Sequence, residues 1–304
     1  MTPDVSVVIP TFKRPEQVKL AVNSVLLQEG VQALVEIVVL DNDPKASARE
    51  VVAHMSKTSR WPIVYGHEPE PGVATARNTA LRIAKAKIIM FIDDDQTAAP
   101  GWMKSMLAVQ AKTNADLVFG PVQGRIENDV PHKAYIEARF SATGPAQSGI
   151  INDYYGCCNS MLKRARFFLD APVFNPATNE TGGEDDELYS KVLYDGGTIA
   201  WAADALVYEE IPPVRATVSY SISKAFAFGQ GPTQTAWQHR DFPKLAYWMA
   251  VGLGQFFVYG LLCAFYWPIN KEKHVIMLDK MVQGLGKMLW TDRFQPRFYG
   301  ASAL

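Results

Sequence analysis

In the stretch KIIMFIDDDQTAAPGW, residues 87–102, an apolar run from Ile88 to Ile92 delivers three consecutive carboxylates, Asp93, Asp94 and Asp95. An apolar run of this length between turn signals suits a strand buried on both faces, as in a parallel sheet. Open α/β sheets take their ligands at the carboxyl ends of their strands, and that is where these three side chains fall. Adjacent carboxylates repel and raise one another's pKa unless a cation compensates. An oxygen-only donor set favours a hard divalent ion, Mg2+ or Mn2+. An acidic solvated turn or a helix cap is the plainer reading of the same residues. Pro100 is expected to open the helix that follows.

Working outward, residues 5–10 (VSVVIP) form a β-rich run ended by proline, and Pro15 can start a helix to about Gln28. Residues 35–40 (VEIVVL) predict a second strand that ends in Asp41, Asn42 and Asp43, with Ser47 capping a helix to about Ser56. A short strand at 63–65, a helix over 73–84 and the strand at 87–93 follow. Strands alternating with helices imply right-handed crossovers and a parallel sheet. Pro10 to Arg14, Asp41 to Asp43 and Asp93 to Asp95 then share one sheet edge. Such a row of polar groups can receive a nucleotide. Thr11 and Arg14 can border the base, Asp41 can accept from a base or ribose, Asp93 can take a ribose hydroxyl, and Asp95 can hold the metal. Arg77 can reach a phosphate as a planar donor. Asp41 as a turn residue and Arg77 as a surface residue are the plainer alternatives. Neither GxGxxG nor GxxxxGK[ST] occurs, so dinucleotide and P-loop fingerprints are missing.

The chain has 304 residues, 48% hydrophobic and 20% charged, enough for one large or two small packed domains. A net charge of −1 gives no electrostatic sign of a nucleic-acid partner. The three cysteines, Cys157, Cys158 and Cys263, have neither zinc-site spacing nor a disulfide framework, and fit a reducing compartment. The first residues show no basic segment followed by an apolar run, so no secretory signal is expected.

A second chemical centre is GGEDDEL, residues 182–188. Two glycines permit a sharp turn and close approach to a ligand. The acidic residues then open a helix, where the dipole favours them. An ordinary acidic capping pattern would look the same.

Taken in order, VSVVIPTFKRPEQV, VVLDNDP, PGVATARN, FIDDD and GGEDDEL resemble the family 2 glycosyltransferases with the GT-A fold. The DND turn followed by Ser47, Ala48 and Arg49 is similar to the bacterial exopolysaccharide, succinoglycan glucosyltransferase-like branch. The motifs span roughly residues 5–210. The resemblance implies a nucleotide-sugar donor, a divalent metal and inversion at the anomeric carbon. It puts Pro10, Thr11, Arg14 and Asp41 around the base, Arg77 near the donor, Asp93 on the ribose and Asp95 on the metal. Asp94 would help hold the donor. It makes Asp185 the general base and puts Asn159 and Glu184 on the acceptor side, with a buried strand amide as the equal alternative for Asn159. Many relatives have a histidine after the strand that follows the GGEDDEL helix. Here that strand, expected over 198–208, runs into Glu209 and Glu210, either of which could serve as an oxygen ligand.

The last third changes character. Residues 219–231 read as a helix closed by Gly229 and Gly231. Residues 245–267 carry no charge, are long enough to span a bilayer, and have aromatic residues near both ends. A full span, an in-plane helix pair broken near Gly252, and a helix buried in a homo-oligomer all stay open. Residues 274–290 repeat apolar side chains at helical spacing.

These readings predict a GT-A type α/β domain, with a mixed, mainly parallel sheet flanked by helices, over residues 1–215. A helical membrane-associating region over 216–304 completes the chain. The expected activity is inverting, metal-dependent hexosyl transfer from a UDP-sugar, UDP-glucose favoured, to a lipid-linked oligosaccharide in exopolysaccharide biosynthesis. It would take place at the cytoplasmic face of the bacterial inner membrane. The rivals are a nucleotidyltransferase, which would need glycines in TFKRPEQ, and a non-catalytic nucleotide-sugar-binding membrane scaffold.

Overall fold

The computed structural model describes residues 2–167 and 172–298. In chain order the elements are β1 (Val5–Thr11), α1 (Pro15–Leu26), β2 (Val35–Asp41), α2 (Arg49–Ser56), β3 (Ile63–His67), α3 (Val73–Ile83) and β4 (Ile88–Ile92). Then come β5 (Gln96–Ala98), α4 (Trp102–Thr113), β6 (Leu117–Phe119), β7 (Val122–Arg125), α5 (Lys133–Phe140), β8 (Gly149–Ile151), β9 (Asn159–Lys163) and α6 (Glu184–Tyr194). The chain continues through β10 (Ile199–Trp201), β11 (Val207–Glu210), α7 (Val218–Gln238), α8 (Phe242–Tyr266) and α9 (Lys271–Met288).

The chain forms two compact units. One holds residues up to 123 together with 141–209 and Phe298, and the other holds 124–140 with 210–297. Residues 124–140, placed by sequence in the catalytic domain, therefore group with the helical part.

The first unit is built on an 8-stranded sheet of order β3-β2-β1-β4-β9-β6-β10-β8. The strands β3, β2, β1 and β4 run parallel, as the alternating pattern requires, while β9 is antiparallel to both β4 and β6. The apolar runs are buried on both faces: Val7, Ile9, Val39, Met90 and Ile92 pack on one side, and Val8, Val38, Ile89 and Phe91 on the other. This is why those strands show no polar–apolar alternation.

Several local expectations change. Ser47 does not cap α2, which starts at Arg49 with Ala48 in the N-cap position and no side-chain cap. A strand, β5, intervenes before α4, so Pro100 precedes the helix instead of opening it. The run expected at 198–208 is two strands, because the chain turns at Ala203–Asp204.

In the second unit α7 continues through Gly229 and Gly231 and contains Pro232. Gly229 is a packing glycine, since a Cβ there would lie 2.2 Å from the Gln283 carbonyl oxygen of α9. The helix α8 is likewise unbroken at Gly252, where a Cβ would lie 2.7 Å from the Gly284 carbonyl oxygen. Small residues here let the helix backbones approach closely.

Candidate active site

Parallel register creates the acidic cluster. Thr11 lies opposite Asp41, and Val8 opposite Phe91, so counting forward sets Thr11 level with Asp94. The Thr11 hydroxyl donates to Asp94 Oδ2 at 2.7 Å. Arg14, just past the end of β1, donates from Nη1 to Asp94 Oδ1 at 2.9 Å and Asp95 Oδ2 at 2.8 Å. Burial, and then the Asp95 charge, push the Asp94 carboxyl up to about 6, against the pull of Arg14 and Thr11. Burial raises Asp93 too, opposed by Arg77 and reinforced by Asp95 and Asp185. Pro10, next to last in the same strand, is half-buried.

Asp41 is fully buried and occupied by its own turn. Its oxygens accept from the Asp43 and Ala48 amides at 3.0 and 2.8 Å and from the Tyr65 hydroxyl at 3.0 Å. The turn reading of Asp41 describes this geometry.

Arg77 joins the two acidic motifs. It lies on α3, buried, with Nη1 on Glu184 and Nη2 3.6 Å from Asp93. Its two Nη atoms face carboxylates, so the surface alternative does not describe it. Two atoms of this group, Arg77 Nε and Glu184 Oε2, are buried without a hydrogen-bond partner. Glu184, expected on the acceptor side, faces Arg77, and burial pushes its carboxyl up to about 7 although Arg77 opposes the shift.

Gly182 and Gly183 take φ of 77° and 87°, left-handed values that bring the chain sharply into α6. The first turn of α6 then carries Glu184, Asp185, Asp186 and Glu187, complementing the helix dipole. Asp185 Oδ2 accepts from the Cys157 backbone N–H at 2.8 Å. That amide, in the loop before β9, was not singled out by sequence, because a backbone donor has no side-chain signature. The Cys157 thiol itself is buried and pushed up to about 12, so it behaves as a small apolar side chain.

Asn159 is the buried strand amide. Its Oδ1 accepts from Trp102 Nε1 at 2.8 Å, and its Nδ2 donates to the Pro121 and Ala205 carbonyls at 2.9 and 2.8 Å. Of the two glutamates that end β11, pairing with β5 brings Glu209 opposite Gln96, with Gln96 Nε2 3.3 Å from Glu209 Oε2. Alternation along the strand turns the exposed Glu210 to the other face.

Among the described residues no three His, Cys, Asp or Glu side chains converge as a preformed metal cage. The carboxylate oxygens of Asp93 and Asp95 nevertheless suit a hard divalent cation.

The model of the family "Glycosyl transferase family 2" matches residues 6–167, from β1 through β9. The succinoglycan biosynthesis protein ExoM of Rhizobium meliloti (strain 1021) is 29% identical over 72% of this chain and 71% of its own length. An Escherichia coli protein, UDP-Glc:alpha-D-GlcNAc-diphosphoundecaprenol beta-1,3-glucosyltransferase WfgD, is 29% identical over 38% of this chain and 44% of its own. Among solved structures, the mannosyltransferase PcManGT from Pyrobaculum calidifontis, in complex with GDP-Man and Mn2+, aligns with a TM-score of 0.63 at 18% identity, covering 95% of this chain and 88% of that one. GalNAc-T7 with UDP, GalNAc and Mn2+ aligns with a TM-score of 0.53 at 15% identity, over 77% of this chain and 51% of that one. The fold is of the GT-A type, and the chain is a glycosyltransferase that belongs to glycosyl transferase family 2.

Proposed function

We propose that this enzyme moves a hexose, glucose in first place, from a UDP-sugar to a lipid-linked oligosaccharide, with inversion, during exopolysaccharide assembly. The observation that carries the reading is the Arg77 bridge, which brings Asp93 at the donor end of β4 and Glu184, the neighbour of Asp185, into one buried group. The similarity to ExoM and to the diphosphoundecaprenol-dependent WfgD supports the exopolysaccharide and lipid-acceptor parts of the reading.

In this reading Asp185 is the general base. Its Oδ2 is held by the Cys157 amide, so the carboxylate is oriented before the substrates arrive. It takes the acceptor hydroxyl proton as that oxygen attacks the anomeric carbon. The bond from that carbon to the diphosphate breaks, and its electron pair leaves with the nucleotide. One base and one displacement give inversion without a covalent glycosyl intermediate. Asp93 and Asp94 hold the donor, and Thr11 and Arg14 fix the Asp94 carboxylate. The unpartnered Arg77 Nε is a donor for a ribose or phosphate oxygen. Asp95 would hold the Mg2+ or Mn2+, with Glu209, which faces Gln96, as a further oxygen, and the bound ion would supply charge compensation for the departing diphosphate. Nucleotide sugars are made in the cytoplasm, so the enzyme would work at the cytoplasmic face of the inner membrane.

A mass-spectrometric product assay with a panel of nucleotide sugars and lipid-linked acceptors tests the proposal. A hexose added from a UDP-sugar, and lost on chelation with EDTA, is expected. Transfer from a GDP-sugar alone, or unchanged activity in EDTA, would overturn the donor or the metal part.

A further inference from the structure

The helix α8 runs for 25 residues, about 37 Å at the usual rise, and it is the one described helix long and apolar enough to cross a membrane. Only 11% of its most apolar window is buried. The side chains that pack inward recur at helical spacing, through Gly252, Tyr259, Cys263 and Tyr266. The opposite side stays uncovered along the whole length, with Tyr247, Leu253, Phe257, Leu261 and Phe265 between 49% and 76% exposed. An apolar face of this extent marks an interaction surface.

What accompanies α8 decides how it can meet a bilayer. The helix α9 lies alongside it: Gly284 meets Gly252, Lys280 Nζ sits 5.4 Å from the Tyr259 ring, and Lys273 Nζ sits 5.3 Å from the Tyr266 ring. A perpendicular α8 would therefore carry α9 into the hydrocarbon with it. Lys280, the buried Asp279 with its partner Arg139, and Lys287 would then all fall within roughly 8 Å of the bilayer centre, given 1.5 Å per residue along α8. Charges at that depth are costly and are seldom tolerated facing lipid. Lying flat avoids this. Lys273 and Lys280, seven residues apart and both exposed, then stand at the margin of the apolar face, at headgroup level. Charge points to the kind of lipid. Residues 210–297 hold 10 Lys and Arg against 5 Asp and Glu, although the whole chain is at −1.

We propose that α8 lies in the plane of an anionic phospholipid surface, its uncovered apolar face in the headgroup–acyl boundary and the α9 lysines on the phosphates, and does not cross the bilayer. This deepens the lipid-linked acceptor reading, yet it can fail independently, because sugar transfer to a detergent-dispersed acceptor does not depend on it.

The test has two arms on the full chain. In flotation with phosphatidylcholine vesicles containing phosphatidylglycerol, the protein should float, with at least about 30-fold weaker partition for Phe257→Asp/Leu261→Asp. Lys273→Glu/Lys280→Glu should lose about 10-fold or more on these vesicles and little on pure phosphatidylcholine. In the second arm, Lys244→Cys and Ile269→Cys, one at each end of α8, meet a membrane-impermeant thiol reagent in spheroplasts and in inverted vesicles. Both should react only in inverted vesicles. Labelling of the two ends from opposite sides would overturn the proposal. So would a lipid-free protein that fails to float and has twice the monomer mass by light scattering, which would make the face a dimer interface.

Discussion

Arg77 and Glu184, 107 positions apart in sequence, form an ion pair in which the two side chains are only 7% and 4% exposed. Removing one member of such a buried pair leaves an uncompensated charge, which typically costs about 3–5 kcal/mol. This contact is how the end of β4 and the start of α6 come to form one group.

Arg77→Met should therefore lower stability by about 3 kcal/mol or more and reduce kcat as well as donor affinity. Arg77→Lys should recover part of the stability, but it offers a point charge in place of a planar fork. Denaturant melts and steady-state kinetics check both. A stable Arg77→Met protein with only KM raised would show a simple donor contact instead.

Asp95→Asn should reduce activity by about 10²–10³-fold and weaken the response to added Mg2+ or Mn2+. Asp94→Asn should cost only about 10-fold, because the amide keeps an oxygen for Thr11 and Arg14 and Asp94 does not hold the metal. Equal losses, or the reverse order, would contradict this division of roles. Metal titrations of activity measure it.

The Glu184 carboxyl, at an ordinary value near 4.5 when unfolded, is raised to about 7 in the fold. Between those values the native state keeps a proton that the unfolded chain has released. Its contribution to stability is thus fully present below pH 4.5 and declines by about 1.4 kcal/mol per pH unit until pH reaches 7. Thermal melts of the metal-free protein across this window should show that fall. Glu184→Gln, which keeps an acceptor for Arg77, should flatten it, and an unchanged slope in the variant would rule this group out as the cause.

Asn159→Leu should destabilise by about 2–4 kcal/mol, since Trp102 Nε1 and the Pro121 and Ala205 carbonyls all lose their partner. Its acceptor KM should be unchanged in the folded fraction. A raised KM at full stability would restore Asn159 to the acceptor side.

The parallel half of the sheet was legible because its strands are buried on both faces and read as uninterrupted apolar runs. The strand ends, Thr11 and Asp93–Asp95, followed directly, since register in a parallel sheet leaves little choice. The acidic start of α6 was legible from the two glycines before it, while the general-base role of Asp185 comes from the family resemblance. The partners of Asn159 were not legible, because an amide before basic residues looks the same whether it meets Trp102 or a cleft. Nor was the Arg77–Glu184 pair, whose partners only the tertiary fold brings together. The glycines of α7 misled for a physical reason. Gly229 mimics a helix stop, yet it is there for the approach of α9.

The most direct measurement concerns Asp185. Asp185→Asn keeps an oxygen to accept from the Cys157 amide, so the loop and α6 should stay folded. Transfer from UDP-glucose to a lipid-linked acceptor, followed by mass spectrometry with NMR of the new anomeric centre, should give an inverted product from the native enzyme. The variant should be slower by about 10²–10⁴-fold with donor binding intact. Full turnover by the folded variant, or retention at the anomeric carbon, would contradict the account.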